Sequence, residues 1–326
     1  MSKQESDDDK ISFWKDVIDW ILDSKVKELD LSGQQITTSE LKLLLTILND
    51  SSAIKLNLSN NNIKEWQAKL LSEFLKSNNR LEELNLGHNQ LGDKGLKCIA
   101  EALKDNNSVT KLNLSYNRHA DDENKALKPV FEALAQNTHL INLDFSGNKL
   151  GHKGAELLCN SIKIHSYQNI IELNLSNNEI TNVGIKYLLD KLYNIRFSKL
   201  NLSNNDLDTT GAMLLSNLLQ NSLNLISLNL SNNKIDNNVI KVINARQKSN
   251  SLTELDLTGN PISPEVAMQI SEALSTKTKT PNDQWMGLTP MNAVIEPMGL
   301  FHNTHQEVRP LGHTNKDTDL DSDTPE

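Results

Sequence analysis

The chain has 326 residues, of which 23% are charged, 37% hydrophobic and only 4% aromatic, and its formal net charge is −9. That charge argues against nucleic acid, whose phosphates call for clustered Lys and Arg. The scarcity of rings calls for a core of stacked Leu and Ile. The two cysteines, Cys98 and Cys159, each sit in a helix-like apolar pattern, which argues against a disulfide framework and for a reducing compartment.

Residues 1–10, MSKQESDDDK, are acidic and polar and have no apolar signal-peptide core behind them, so they are expected to form a disordered start. Residues 11–25 are expected to form an N-terminal capping helix. Within them Phe13, Trp14, Val17, Ile18, Ile21 and Leu22 fall on one helical stripe, with Trp20 off it. A stripe of this kind suits a cap over the first unit of a repeat array, with a partner-binding helix as the alternative. No run approaches the ~18 apolar residues of a membrane span, so no membrane contact is expected.

From residue 26 to 274 one phrase recurs. LNLSNNNI occupies 56–63, LNLSNNEI 173–180, LNLSNNDL 200–207 and LNLSNNKI 228–235, with looser copies between and beyond them. The template L-x-x-L-x-L-x-x-N-x-I/L has its Asn position filled by Gln34, Asn61, Asn89, Asn117, Asn148, Asn178, Asn205, Asn233 and Asn260, at gaps of 27 to 31 residues. L-x-L alternates like a half-buried strand. The second half of each unit has helical spacing, as in Leu96, Ile99, Ala100 and Leu103, with Asp93 placed as an N-cap. Neither half can bury its apolar side alone. Stacking the units closes a shared core, with a parallel sheet on the inside of a curved array and helices outside. The expected fold is therefore an α/β solenoid of about nine strand–helix repeats. At the strand exit the Asn amide is expected to brace orphaned backbone groups of adjacent turns as a ladder.

The residues between the two leucines, Asp30, Asn57, Asn85, Asn113, Asp144, Asn174, Asn201, Asn229 and Asp256, are expected to face the concavity and make it uniform. Ile54, Ile141, Ile171 and Ile226 lie on the strand-entry side, where packing at the sheet edge competes with partner contact. The fourth unit departs from the template. It reads SYNRHADDENKALKP, with His119 in place of Leu or Ile and Pro129 at the start of its helix. Irregular charged loops on rigid scaffolds often carry function, although insertions there are also tolerated. Hot spots favour Trp, Tyr and Arg, so a binding site is expected to centre on His88, Tyr116, Arg118, His119, Asp121, Asp122 and Glu123.

Beyond 274 the period stops, and 275–326 is expected to be a flexible tail ending in acidic KDTDLDSDTPE. Its apolar island, WMGLTPMNAVIEPMGLF at 285–301, reads equally well as a cap on the last repeat or as a motif for a partner.

The template, with Gly95-Leu96, Gly154-Ala155, Gly184-Ile185 and Gly211-Ala212 in the helical half, resembles the ribonuclease-inhibitor-like class of leucine-rich repeats. That resemblance implies a horseshoe with a protein-binding surface. The Asn-, Lys- and Ile-rich wording and polar tail also resemble leucine-rich-repeat effectors of intracellular bacteria such as Legionella, which implies a type IV secretion substrate acting in host cytosol. A resident cytosolic adaptor is the alternative.

No phosphate-binding loop, CxxC or HExxH is present, and the eight histidines are scattered. No cofactor, metal or catalytic residue is therefore expected, and the chain reads as a monomeric, non-enzymatic scaffold for an unidentified protein partner. Activators of the small GTPase Ran share the repeat class and an acidic C-terminal region. On that resemblance Arg118 would be the one candidate arginine finger, although its surroundings do not match the activators' motif.

Overall fold

The computed structural model describes residues 2–23, 25–118, 127–161, 170–192, 198–221, 225–241 and 252–275. His119, Asp121, Asp122, Glu123 and the tail with its apolar island lie outside them.

Nine three-residue strands form one parallel sheet whose spatial order is the chain order. They are β1 Glu28–Asp30, β2 Lys55–Asn57, β3 Glu83–Asn85, β4 Lys111–Asn113, β5 Asn142–Asp144, β6 Glu172–Asn174, β7 Lys199–Asn201, β8 Ser227–Asn229 and β9 Glu254–Asp256. The register never slips: Leu29, Leu56, Leu84, Leu112, Leu143, Leu173, Leu200, Leu228 and Leu255 form one row. Helices α1 Ser2–Leu22, α2 Thr38–Leu48, α3 Glu65–Ser77, α4 Gly92–Leu103, α5 Leu127–Leu134, α6 Gly151–Ser161, α7 Asn182–Leu192, α8 Thr209–Asn221 and α9 Pro264–Ser275 complete the described elements. Strands repeat at ~4.8 Å whereas packed helices need 8–10 Å, so the stack curves with the sheet on its concave face.

One apolar cluster runs the length of the array, from Trp14 to Ile270. It is mainly Leu and Ile, with Ala and Val between them and a Phe131–Phe145 pair at 5.4 Å where the fourth and fifth repeats meet. Helical glycines set how closely the helices approach. A Cβ on Gly184 would stand 2.9 Å from Ile180 Cγ2 and 3.2 Å from Ala155 Cβ. The Gly-[AL] pairs of the sequence are thus spacers between repeats.

Four local expectations are corrected. Helix α1 begins at Ser2, so residues 2–10 are helical, where a disordered start was expected. The segment Ser2–Leu22 has no Gly or Pro, and its Asp7, Asp8 and Asp9 lie in the N-terminal half, the end that the helix dipole favours for acids. The buried stripe is narrower than the pattern implied. Trp14, Val17 and Ile21 are buried, whereas Leu22 is 66% exposed because it lies about 100° round the helix from Ile21. Asp93 is not an N-cap. The cap position of α4 is Leu91, and Asp93 lies inside the first turn. Finally, Gln34 is exposed and donates only locally, to Ser32 O at 3.3 Å, so it is no rung of the Asn ladder. The cause is positional: each ladder amide bonds to the preceding repeat, and among the described residues no repeat precedes the one that holds β1.

Candidate binding surface on the concave face

The hydrogen bonds of the Asn column repeat from unit to unit. Asn178, fully buried, donates from Nδ2 to Phe145 O at 2.9 Å in the preceding repeat, and its Oδ1 accepts from Asn148 N at 2.9 Å. Asn61, Asn89, Asn117, Asn148, Asn205, Asn233 and Asn260 make the same kind of cross-repeat bond, to Leu31, Leu58, Leu86, Leu114, Leu175, Leu202 and Leu230 O respectively.

A second Asn ladder, which the sequence reading missed, runs along the other edge of the core where helices return to strands. Asn106 donates to Leu75 O at 2.8 Å and Asn78 O at 3.0 Å, and Asn137 donates to Leu103 O at 2.6 Å and Asn106 O at 3.0 Å. Asn78, Asn106 and Asn137 each accept from the backbone three residues on, at Leu81, Val109 and Leu140. The available signal was Asn three residues before the apolar residue that leads into β3, β4 and β5.

The residues between the leucines prove less available than expected. Each carboxylate or amide oxygen from Asp30 to Asp256 accepts from the backbone N–H two residues on, closing a turn at the strand end. Asn85, Asp144, Asn174, Asn201 and Asp256 are buried. The other inward row was overlooked. It carries Glu28, Lys55, Glu83, Lys111, Asn142, Glu172 and Lys199, which pair across strands: Lys55 with Glu28, Lys111 with Glu83 at 2.7 Å, Asn142 with Glu172 at 2.7 Å and Lys199 with Glu172 at 2.8 Å. Most of this face is thus a self-satisfied lattice.

Two residues break it. Just before each ladder Asn the backbone turns left-handed, at Gly33, Asn60, His88, Tyr116, Gly147, Asn177, Asn204, Asn232 and Gly259. Gly and Asn suit that conformation, but His88 (φ 54°) and Tyr116 (φ 52°) carry rings into it. For an ordinary side chain this costs about 1–2 kcal/mol. The rings stack on one another, with centroids 4.4 Å apart and planes 11° from parallel. Such a stack returns about 0.5–1.5 kcal/mol, so folding alone gives little reason to keep the pair. The next residue in the row is Gly147, where a Cβ would lie 2.5 Å from the Tyr116 ring. Its missing side chain is the space the ring occupies.

Tyr116 remains 41% exposed. Burial, then the charge of Asp144, raises its phenol pKa. Burial also raises the Asp144 carboxyl, while hydrogen bonds from Ser146 and Asn174 and the nearness of His88 act the other way. Beyond Tyr116 opens a shallow depression of about 800 Å3, whose rim includes Gly147, Lys149, Asn177, Glu179 and Asp206.

Arg118 also lines this depression, but it is not exposed there. Its side chain is fully buried, forks onto Asp93 through Nε and Nη2, and donates from Nη1 to Asn148 O at 2.9 Å. It ties three successive repeats together, and its donors face inward. The structure therefore brings together His88 and Tyr116 and sets Arg118 to work in the scaffold. Ile171 and Ile226 are 44% exposed at the strand-entry edge, whereas Ile54 and Ile141 are half-buried.

The family model "Leucine Rich repeat" matches residues 77–100, 136–159, 168–189, 197–216 and 248–270. Each match covers one strand (β3, β5, β6, β7 and β9) and reaches into the helix that follows it. The fold is a leucine-rich-repeat solenoid. No curated protein matches the chain. Among solved structures, the solenoid is similar to leiomodin-1 actin-binding site 2, with 26% identity over 38% of this chain and 72% of that one at a TM-score of 0.35. It is also similar to the tropomodulin C-terminal domain of Caenorhabditis elegans, with 18% identity over 45% and 92% at 0.38. A chain of the yeast Rad7 and Elc1 complex matches with 17% identity over 78% and 68% at 0.48. No described helix is long and apolar enough to cross a membrane.

Proposed function

We propose that the solenoid is a non-enzymatic scaffold that captures a protein partner on its concave face, at the patch formed by His88, Tyr116 and the depression beside them. The observation that carries this reading is the pair of stacked rings at left-handed positions where Gly or Asn would be easier. Backbone strain kept without a folding benefit is a mark of functional sites. A ring held by its neighbour also loses little entropy on binding, and Tyr is a favoured hot-spot residue. Lys149, Glu179 and Asp206 give the rim both signs of charge, which suits a polar loop of a folded protein.

The test uses immobilised full-length protein in host-cell lysate, comparing wild type with Tyr116→Asn. Asn fits the left-handed backbone, so the variant should melt at the same temperature or higher. Proteins retained by the wild type should be captured at least tenfold less. Equal capture by a stably folded variant would move the interface elsewhere.

The 27–31-residue strand–helix period supports assignment to the ribonuclease-inhibitor-like class. The reading as an effector in host cytosol rests on the wording of the repeats and the acidic end of the tail. It is tested by deleting 302–326 from a translocation reporter, which should abolish transfer. The GTPase-activator reading loses its support, since the Arg118 guanidinium is buried against Asp93.

A further inference from the structure

The two ends of the solenoid are not alike. At the start, Leu29, Leu31 and Ile36 of the first repeat are 1–3% exposed, because Trp14, Val17 and Ile21 of α1 lie over that end. At the other end, Leu255, Leu257 and Ile262 of the ninth repeat are only half-buried. Their counterparts one repeat earlier, Leu228, Leu230 and Ile235, are 0–3% exposed. Ala267 faces solvent, whereas Ala155 and Ala212 at the same helical position are 0–2% exposed. The backbone shows the same gap. Leu230 N donates to Asp256 O at 2.8 Å and Asn232 N to Thr258 O at 2.7 Å, but among the described residues the corresponding N–H groups of Leu257 and Gly259 face no further strand, since β9 is the last strand of the sheet. The vacant edge calls for an occupant with apolar side chains and backbone carbonyls to accept from those amides.

We infer that residues 285–301 of this same chain are that occupant and close the C-terminal end of the solenoid. The segment supplies Trp285, Leu288, Val294, Ile295, Leu300 and Phe301 in an otherwise polar stretch. Nine residues, 276–284, separate it from the end of α9. Fully extended they span about 30 Å, ample to return to a face built by the adjoining helix and strand. Pro290 and Pro297 bracket Met291–Glu296, and prolines at such positions confine a strand to a short, outermost place, where nothing further need pair with it. The inference is independent of the concave-face proposal.

Hydrogen exchange on the full chain tests it, with Val294→Asp/Ile295→Asp as the disrupting variant and a chain ending at Thr280 as the second. The amides of Leu257 and Gly259 should exchange at least tenfold faster in both than in the wild type, with a lower melting temperature. Unchanged exchange in both would overturn the inference, as would wild-type amides already exchanging freely. If wild-type protection instead grows with protein concentration and light scattering reports a dimer, a second copy covers the edge and the intrachain cap is wrong.

Discussion

Replacing Asn178 by Ala should be among the most damaging changes of its size to this solenoid. The side chain is wholly buried and joins two turns: Oδ1 accepts from Asn148 N at 2.9 Å, and Nδ2 donates to Phe145 O at 2.9 Å and Ser176 O at 3.2 Å. The two carbonyls keep other donors, Asn148 Nδ2 and Gly147 N respectively. Asn148 N keeps no other acceptor, so one buried N–H is orphaned, at about 1–3 kcal/mol, and Leu150 N loses the longer bond, 3.4 Å, that it also gives to Oδ1. Removing the amide also opens a small void. The total should be about 2–4 kcal/mol. The control must respect backbone geometry. Asn177 is exposed but has φ of 55°, so Asn177→Ala would add its own strain, whereas Asn177→Gly fits the turn and should stay within about 0.5 kcal/mol of wild type. Urea unfolding followed by circular dichroism gives the comparison. Repeat arrays can melt in segments, so exchange of the Asn148 amide should be followed alongside. Equal midpoints for Asn178→Ala and Asn177→Gly would refute the bracing argument.

Asn106→Ala removes the amide that bonds to Leu75 O and Asn78 O, and should lower the unfolding free energy measured in urea by an amount comparable to Asn178→Ala, about 2–3 kcal/mol. Arg118→Ala leaves Asp93 unpaired, and since the Asp93 side chain keeps 15% exposure the loss should be about 2–4 kcal/mol in thermal unfolding. Arg118→Lys should recover little of it, because one ammonium cannot reproduce the fork. For Asp144, whose folded pKa is raised chiefly by burial, the folded state binds more protons than the unfolded one between about pH 4 and the raised value, so stability should fall as pH rises through that window. Asp144→Asn should flatten that fall and make the protein more stable at pH 7, since Asn fills this position in six other repeats; a lower melting temperature at pH 7 would contradict it.

Much of the architecture was legible because the repeats vote together. The Leu rows and the Asn ladder depend on side-chain types that recur at fixed spacing, and nine copies make each assignment nearly independent of local noise. Two classes of feature escaped. One depends on the neighbouring repeat and not on the unit itself: Asp93 reads locally as a cap but is claimed by Arg118, 25 residues away, and Gln34 reads as a rung but has no strand to brace. The other is set by helix phase. Leu22 belongs to an apolar run, yet only the Trp14–Val17–Ile21 line faces the first repeat. The candidate site lies between these cases. Tyr116 and His88 were visible as exceptions in a uniform column, but their left-handed backbone and mutual stacking exist only in three dimensions.

Repetition also explains why so little of the concave face is free to bind. A parallel sheet of identical units places like residues side by side, so an unbroken column of Glu or Lys would repel along its length. The Glu–Lys alternation from Glu28 to Lys199, interrupted by Asn142, relieves this, but it occupies the charges a partner would otherwise meet. The Asn and Asp column is spent on closing turns. Specificity therefore has to come from positions the lattice does not need. The left-handed position before each ladder Asn meets that condition, because its backbone N–H does the structural work, as Tyr116 N does in donating to Ser146 O at 2.9 Å, and its side chain is left over. For Tyr116 a ring there costs strain, gains a stack, and needs a glycine next door. The coincidence of Tyr116 with Gly147 and His88 satisfies all three at one place on the sheet.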